Sequence, residues 1–159
     1  MSIESSTSTP SAKRVPPDAD TTITVVAWHD SVVETHPESH PTSSSETLVW
    51  WTPILGPTAT LMAHRFAGYV GRGNDRQFTF GDLARTLGMG NSTSRVRASL
   101  DRLERFGIIS VAGETVSVRV ALPPLTRRHI EQLPTYLAEL YEQRRESLHS
   151  QPNQRPPHA

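Results

Sequence analysis

The stretch that most constrains the fold runs from Phe78 to Val120, FTFGDLARTLGMGNSTSRVRASLDRLERFGIISVAGETVSVRV. Its apolar period changes from helical to alternating, and each change is marked by a glycine. Leu83, Ala84 and Leu87 share one side of a short helix. Asp82 sits in the first turn of that helix, where a carboxylate meets the positive end of the helix dipole. Gly88 stops it, because a glycine just past a helix end enters the left-handed region cheaply. Met89-Gly90-Asn91 turns the chain, and Asn91 or Ser92 is placed to cap the free N–H groups that follow. The next helix, 92–106, directs Val96, Leu100, Leu103 and Phe106 to a core. Its opposite face carries Ser94, Arg97, Ala98, Asp101, Arg102 and Arg105, and Gly107 ends it. Ile108, Ile109 and Val111, then Val116, Val118 and Val120, flank Ala112-Gly113-Glu114, which predicts a hairpin.

Upstream, ILGPTATLMAHRFAGYV predicts one more helix. Pro57 suits its start, and Leu55, Ala59, Met62, Phe66 and Tyr69 or Val70 recur at helical spacing. His64 and Arg65 fall on its solvated face. All four phenylalanines lie between residues 66 and 106, as one core would require. Gly71–Arg76 is a turn-rich link, and Phe78 and Phe80 open the second helix or a short strand before it. Thr22–Trp28, TITVVAW, is a β-rich run without clean alternation, so it predicts a strand covered on both faces. Residues 35–46, THPESHPTSSSE, predict a flexible loop. Trp50 and Trp51 follow, and with Trp28 they form an aromatic group suited to core packing, with a ligand-pocket lid as the alternative.

Beyond the hairpin, Leu122-Pro123-Pro124-Leu125 makes a rigid exit, and Thr126 can cap a helix beginning at Arg127. Pro134 should kink that helix or divide it in two. Ile130, Leu133, Leu137 and Leu140/Tyr141 form a short apolar stripe. Such a stripe serves equally to cover the domain's own core or to pair with a second copy. Residues 1–21 and 149–159 hold too little apolar surface to offset ordering and are expected to be disordered tails. The expected organisation is therefore a tail, an N-terminal extension over 22–53, a domain over 54–121, a C-terminal helical extension over 122–148 and a second tail.

The 159-residue chain has no cysteine, which excludes disulfides and thiolate metal sites. No apolar run follows a basic N-terminal segment, so no signal peptide is expected, and Thr47–His64 is interrupted by Pro53 and Pro57. A cytoplasmic protein without a membrane partner is the expectation. Net charge is zero, but it is unevenly placed. Residues 1–53 hold two basic and seven acidic side chains, a net −5. Residues 54–133 hold eleven arginines and six carboxylates, a net +5. The basic excess therefore coincides with the helical segment.

The Leu83-Ala84 and Leu87-Gly88 pairs, the Leu100/Leu103/Phe106-Gly107-Ile108 exit and the hairpin after it together resemble a winged helix-turn-helix domain. From about Trp50 to Leu133 the chain also resembles small actinobacterial proteins of this fold, described as DNA-binding or transcriptional regulators. In a minimal helix-turn-helix the buried residue of the second helix would be Ser94, whereas the apolar residue here is Val96. The turn is thus about two residues longer than minimal. The resemblance implies a mainly α fold with a small β component: a three-helix bundle with a β-hairpin wing, preceded by a strand and followed by a C-terminal helix.

It also implies double-stranded DNA as partner, with helix 92–106 in the major groove. Ser92, Thr93 and Ser94 would donate to phosphates or base edges. Arg95 and Arg97 would reach bases, since arginine bonds guanine bidentately. Arg102 and Arg105 would meet backbone phosphate. A plain alternative for these arginines is a solvated face with local pairs, because Arg97–Asp101 and Asp101–Arg105 are four apart. Glu114 at the hairpin tip weighs against a phosphate-gripping wing and favours a protein-interaction module on the same scaffold.

Other chemistries find little support. His29, Asp30, His36 and His40 are metal-ligand types, but no spacing sets two histidines on one helix face. GRGN at 71–74 lacks the lysine of a phosphate loop. Ser92-Thr93-Ser94 lacks the flanking glycines of a nucleophile elbow. No paired carboxylates, activated nucleophile or cofactor loop is recognisable, so neither an enzyme nor a bound cofactor is expected.

Overall fold

A computed structural model describes residues 18–150. Most of the two expected tails lies outside the described residues. Residues 18–21, assigned to the first tail, are instead held in place: Ala19 and Thr21 accept from the Gly81 and Phe80 amides, both at 2.9 Å. A Cβ at Gly81 would come within 3.2 Å of the Ala19 carbonyl oxygen, so a side chain there would push this backbone back by a few tenths of an ångström.

The chain is mainly α with a small β component. Strand β1 (Thr22–Trp28) leads into α1 (Ser31–Glu34), β2 (His40–Pro41), α2 (Ser45–Trp50) and α3 (Thr52–Leu55). The helix expected from Pro57 is α4 (Pro57–Val70), with Ala59, Met62, Phe66 and Val70 buried. After β3 (Arg76–Thr79) comes α5 (Phe80–Thr86), which Thr79 caps by accepting from the Asp82 amide at 3.0 Å. Gly88 takes φ +71°, as its role at the helix end requires.

Helix α6 (Thr93–Arg105) packs on both α4 and α5. Val96, Leu100 and Leu103 are buried. Ser92 occupies the N-cap position but makes no capping bond; its hydroxyl lies 3.4 Å from that of Ser94. Phe106, expected in the core, is only half-buried, because it meets His129 at the domain's margin.

The hairpin is β4 (Ile109–Ala112) and β5 (Thr115–Arg119), turning at Gly113-Glu114. Its outer context departs from the expected one. Strand β1 enters the sheet between β3 and the hairpin, giving the order β3-β1-β5-β4. β1 runs antiparallel to β3 and parallel to β5, with Val25 opposite Val116 and Ala27 opposite Val118. Ile23 and Val25 are buried and the rest of β1 is half-buried, so cover is unequal on its two faces.

Residues 35–46 are not a loose loop. Thr42, fully buried, donates through its hydroxyl to the Arg119 carbonyl at 2.6 Å, and its amide donates to Val120 at 3.0 Å. β2 pairs with β6 (Ala121–Leu122), His40 opposite Leu122. Pro134 divides the C-terminal segment into α7 (Arg127–Glu131), capped by Thr126, and α8 (Thr135–Ser150). Leu137 and Tyr141 of α8 join the same core as Trp50, Trp51 and the three-helix group. Trp28 is half-buried, outside the core cluster that holds the other two tryptophans, and carries the Arg119 guanidinium 3.9 Å from its ring centre. No helix among the described residues is long and apolar enough to cross a membrane.

Candidate functional site

Helix α6 presents two polar flanks on either side of its buried edge. Arg95, Ala98, Ser99, Arg102 and Arg105 recur every three or four residues and lie on one of them. Arg97 lies on the other. It is half-buried, and its guanidinium rests 5.1 Å from the centre of the Phe80 ring on α5. The expectation that Arg97 stands in solvent opposite Val96 and Leu100 is therefore corrected. The core arc of α6 is wide enough to reach its flank, and Phe80 supplies an aromatic surface for the cation.

Arg102 is also more than a solvent-facing charge. It donates to the Ile54 carbonyl at 3.0 Å and lies 5.6 Å from the Phe106 ring centre. The carbonyl belongs to the end of α3, so one guanidinium ties α6 to the α3–α4 junction. Arg95 and Arg105 are exposed. At the start of α6, Ser92 and Thr93 are half-buried and Ser94 is exposed. Val96 is buried where a minimal helix-turn-helix would bury residue 94, which agrees with the longer turn.

The arginine flank borders a cleft of about 490 Å³, whose opposite wall is Gly56, Pro57, Thr58 and Ala59. This wall is the first turn of α4. Gly56 has φ +83° and ψ 160° and offers no side chain to cap that turn. Met89 forms part of the floor. Arg95, Arg102 and Arg105 all line the cleft, so three of the seven predicted site residues converge on it. Ser92, Thr93, Ser94 and Arg97 do not. The α4 wall was not identified as part of the site from sequence. Its local signal was Gly56-Pro57, a helix start without a capping side chain, but only the fold sets it beside α6.

The histidine-rich segment is structural. His29 Nδ1 lies 3.0 Å from Glu34 Oε1, while Asp30 caps α1 and accepts from Arg119 at 2.9 Å. Arg119 holds the Asp30 carboxyl below its ordinary range. His36 Nδ1 accepts from the Glu38 amide at 3.1 Å. His40 is 5 % exposed, with Glu46 3.8 Å away and Arg144 bridging to the same carboxylate. His29, Asp30 and His36 serve separate local bonds, neither ring nitrogen of His40 has a hydrogen-bond partner, and no three metal-ligand side chains converge among the described residues.

Burial pushes the His40 imidazole down to about 4 from an ordinary 6.5, with Glu46 opposing and Arg144 adding to the effect. Between those values the unfolded chain binds the proton and the folded one does not. Stability is therefore full above pH 6.5 and falls as pH drops toward 4. The loss over that window should be about 3 kcal/mol. Urea unfolding at several pH values should show it, and His40→Leu should flatten the slope there. The loss from Glu38 and Glu46, whose carboxyls are held below their ordinary 4.5 by Arg145 and Arg144, should begin at lower pH and persist. An unchanged slope in His40→Leu would assign the acid sensitivity elsewhere.

Comparison of the chain with protein-family models, with curated proteins and with solved structures finds no match.

Proposed function

We propose that the chain is a DNA-binding protein of winged-helix type that regulates transcription, with α6 as the helix presented to the major groove. The observation that carries the reading is the convergence of Arg95, Arg102 and Arg105 on one flank of α6, in a region of net positive charge. The order of elements supports it: two helices joined by a glycine turn, then a hairpin, with α4 packed behind. Ser94 and Arg95 lie toward the N-terminal half of α6 and suit base edges. Arg102 and Arg105 lie further along and suit phosphate. Arg97, laid over Phe80, suits packing better than base contact.

A salt-controlled titration on selected and scrambled duplexes tests this reading. Arg95→Ala should cost about 1–3 kcal/mol on the preferred site and relax discrimination there. Arg105→Ala should weaken all sequences alike and reduce the salt slope by about 1. Arg97→Ala should bind nearly as the parent does. If Arg95→Ala and Arg105→Ala also bind like the parent, the arginine flank is not a DNA surface.

The hairpin favours a second reading, a winged-helix module that binds another protein. Its tip holds Glu114, whose carbonyl accepts from the Thr24 amide at 2.8 Å. β1 then continues along β5, so the hairpin is laid into a sheet rather than projecting as a free wing. Absence of duplex binding even at low salt would select this reading.

A further inference from the structure

We propose that the cleft between α6 and the first turn of α4 is a phosphate-binding site. The inference stands whether or not α6 enters a DNA groove.

Three kinds of donor meet in the cleft. The first is the start of α4, a helix of 14 residues. Pro57 has no N–H, and the Thr60 amide is satisfied by Gly56 at 3.2 Å. The Thr58 and Ala59 amides have no acceptor among the described residues, and both residues line the cleft. Unpaired N–H groups at the positive end of a helix dipole form a natural seat for an anion.

The second donor is Ser99. It is 8 % exposed, it lines the cleft, and its hydroxyl has no hydrogen-bond partner among the described residues. A serine inside a helix ordinarily turns its hydroxyl back to the carbonyl four residues earlier or out to water. This one makes no bond to the Arg95 carbonyl and opens into the cleft. Its oxygen stays accessible from the cleft, so it is open to an acceptor or donor that enters there.

The third is the set of guanidinium groups. Arg102 is positioned at the mouth by its bond to the Ile54 carbonyl, two residues before Gly56. Its remaining N–H groups are left for another acceptor. Arg95 precedes it by seven residues and Arg105 follows by three, on the same flank. Ala98 between them is small and leaves the space open. No carboxylate among the described residues lines the cleft. Three arginines with two amides and a hydroxyl match a multiply charged oxyanion with several acceptor oxygens better than a monovalent carboxylate. A free phosphate monoester supplies this charge on one phosphorus, and a nucleic-acid backbone supplies it as successive singly charged diesters. A volume of about 490 Å³ leaves room for the remainder of either.

Full-length protein titrated with inorganic phosphate, against chloride at matched ionic strength, provides the test. The Thr58 and Ala59 amide resonances should shift saturably with phosphate and not with chloride. Combined Arg95→Gln and Arg105→Gln should weaken this binding roughly tenfold, and Ser99→Ala should weaken it several-fold. Combined Arg127→Gln and Arg128→Gln, a charge-matched change on α7 outside the cleft, should leave it unchanged. Shifts that do not saturate, or that survive the cleft variants unaltered, would overturn the site.

A second arm identifies the source of the phosphate. A short duplex that displaces inorganic phosphate and moves the same amides assigns the site to a nucleic-acid backbone. Phosphate binding without duplex binding assigns it to a free ester, and then the DNA reading fails while the site stands. Duplex binding that leaves Thr58 and Ala59 unmoved, with no effect of phosphate, overturns the site and leaves the DNA reading standing.

Discussion

Leu103→Ala is expected to lower stability by about 2–5 kcal/mol, a large fraction of what a domain of this size possesses. Leu103 is fully buried and Leu100 is 2 % exposed. Both lie on the side of α6 that packs against α4 and α5. Truncation removes apolar contact and leaves a cavity that three helices cannot close without moving. Leu103 also stands where the chain leaves the helix, since the Ile108 amide donates to its carbonyl at 3.0 Å. Disturbance there would reach the first residues of the hairpin. Thermal and urea unfolding are the measurements, with Arg105→Ala as the comparison. An exposed arginine should change stability by no more than about 0.5 kcal/mol. If Leu103→Ala melts within a degree or two of the parent while Arg105→Ala unfolds early, the buried side of α6 has been misassigned.

That contrast shows where sequence reasoning is strong. The buried residues Ala59, Met62 and Phe66 of α4 and Val96, Leu100 and Leu103 of α6 follow from a helical period repeated over three turns or more, with glycines at 88 and 107 marking ends. Thr79 and Thr126 cap as their side chains allow. The parts missed depend on partners distant in sequence. Nothing local in TITVVAW says that it inserts between β3 and β5, because that position is set by pairing with residues more than fifty positions away. Residues 35–46 looked like a loop because their composition is polar. Their order comes from Thr42 bonding the backbone at Arg119 and Val120, and from Glu38 and Glu46 meeting arginines of α8.

The candidate site was half legible for the same reason. Spacing identified the arginine-bearing side of α6, but one residue along a helix is about 100° of rotation. Whether Arg95 or Arg97 faces open space thus depended on what stood beside each. Phe80 stands beside Arg97 and the open cleft beside Arg95. The donors of the α4 turn could not be placed from sequence at all, since they lie about forty residues before the arginines they face.

Tyr141→Ala should destabilise the monomer by about 3–5 kcal/mol, which bears directly on what the last helix does. The apolar stripe of α8 had two equal uses from sequence: intramolecular cover or pairing with a second copy. In the folded chain Tyr141 is 2 % exposed and Leu137 is 8 % exposed. The Tyr141 ring meets Trp50 edge-on with centroids 5.2 Å apart, and its hydroxyl accepts from the Leu125 amide at 2.8 Å. Arg144 and Arg145 clamp the same helix to Glu46 and Glu38 at 2.8 and 2.6 Å. The buried half of the stripe is thus already engaged within one chain, while Tyr136 and Leu140 point outward. Tyr141→Phe separates the two contributions of the side chain. It keeps the ring against Trp50 but leaves the Leu125 amide unpaired in a buried position, which should cost about 1–3 kcal/mol. Both variants should melt below the parent, in the order alanine then phenylalanine, at a temperature independent of protein concentration. If the parent's melting temperature falls on dilution and neither variant lowers it at fixed concentration, α8 draws its stability from a second copy rather than from Trp50 and Leu125.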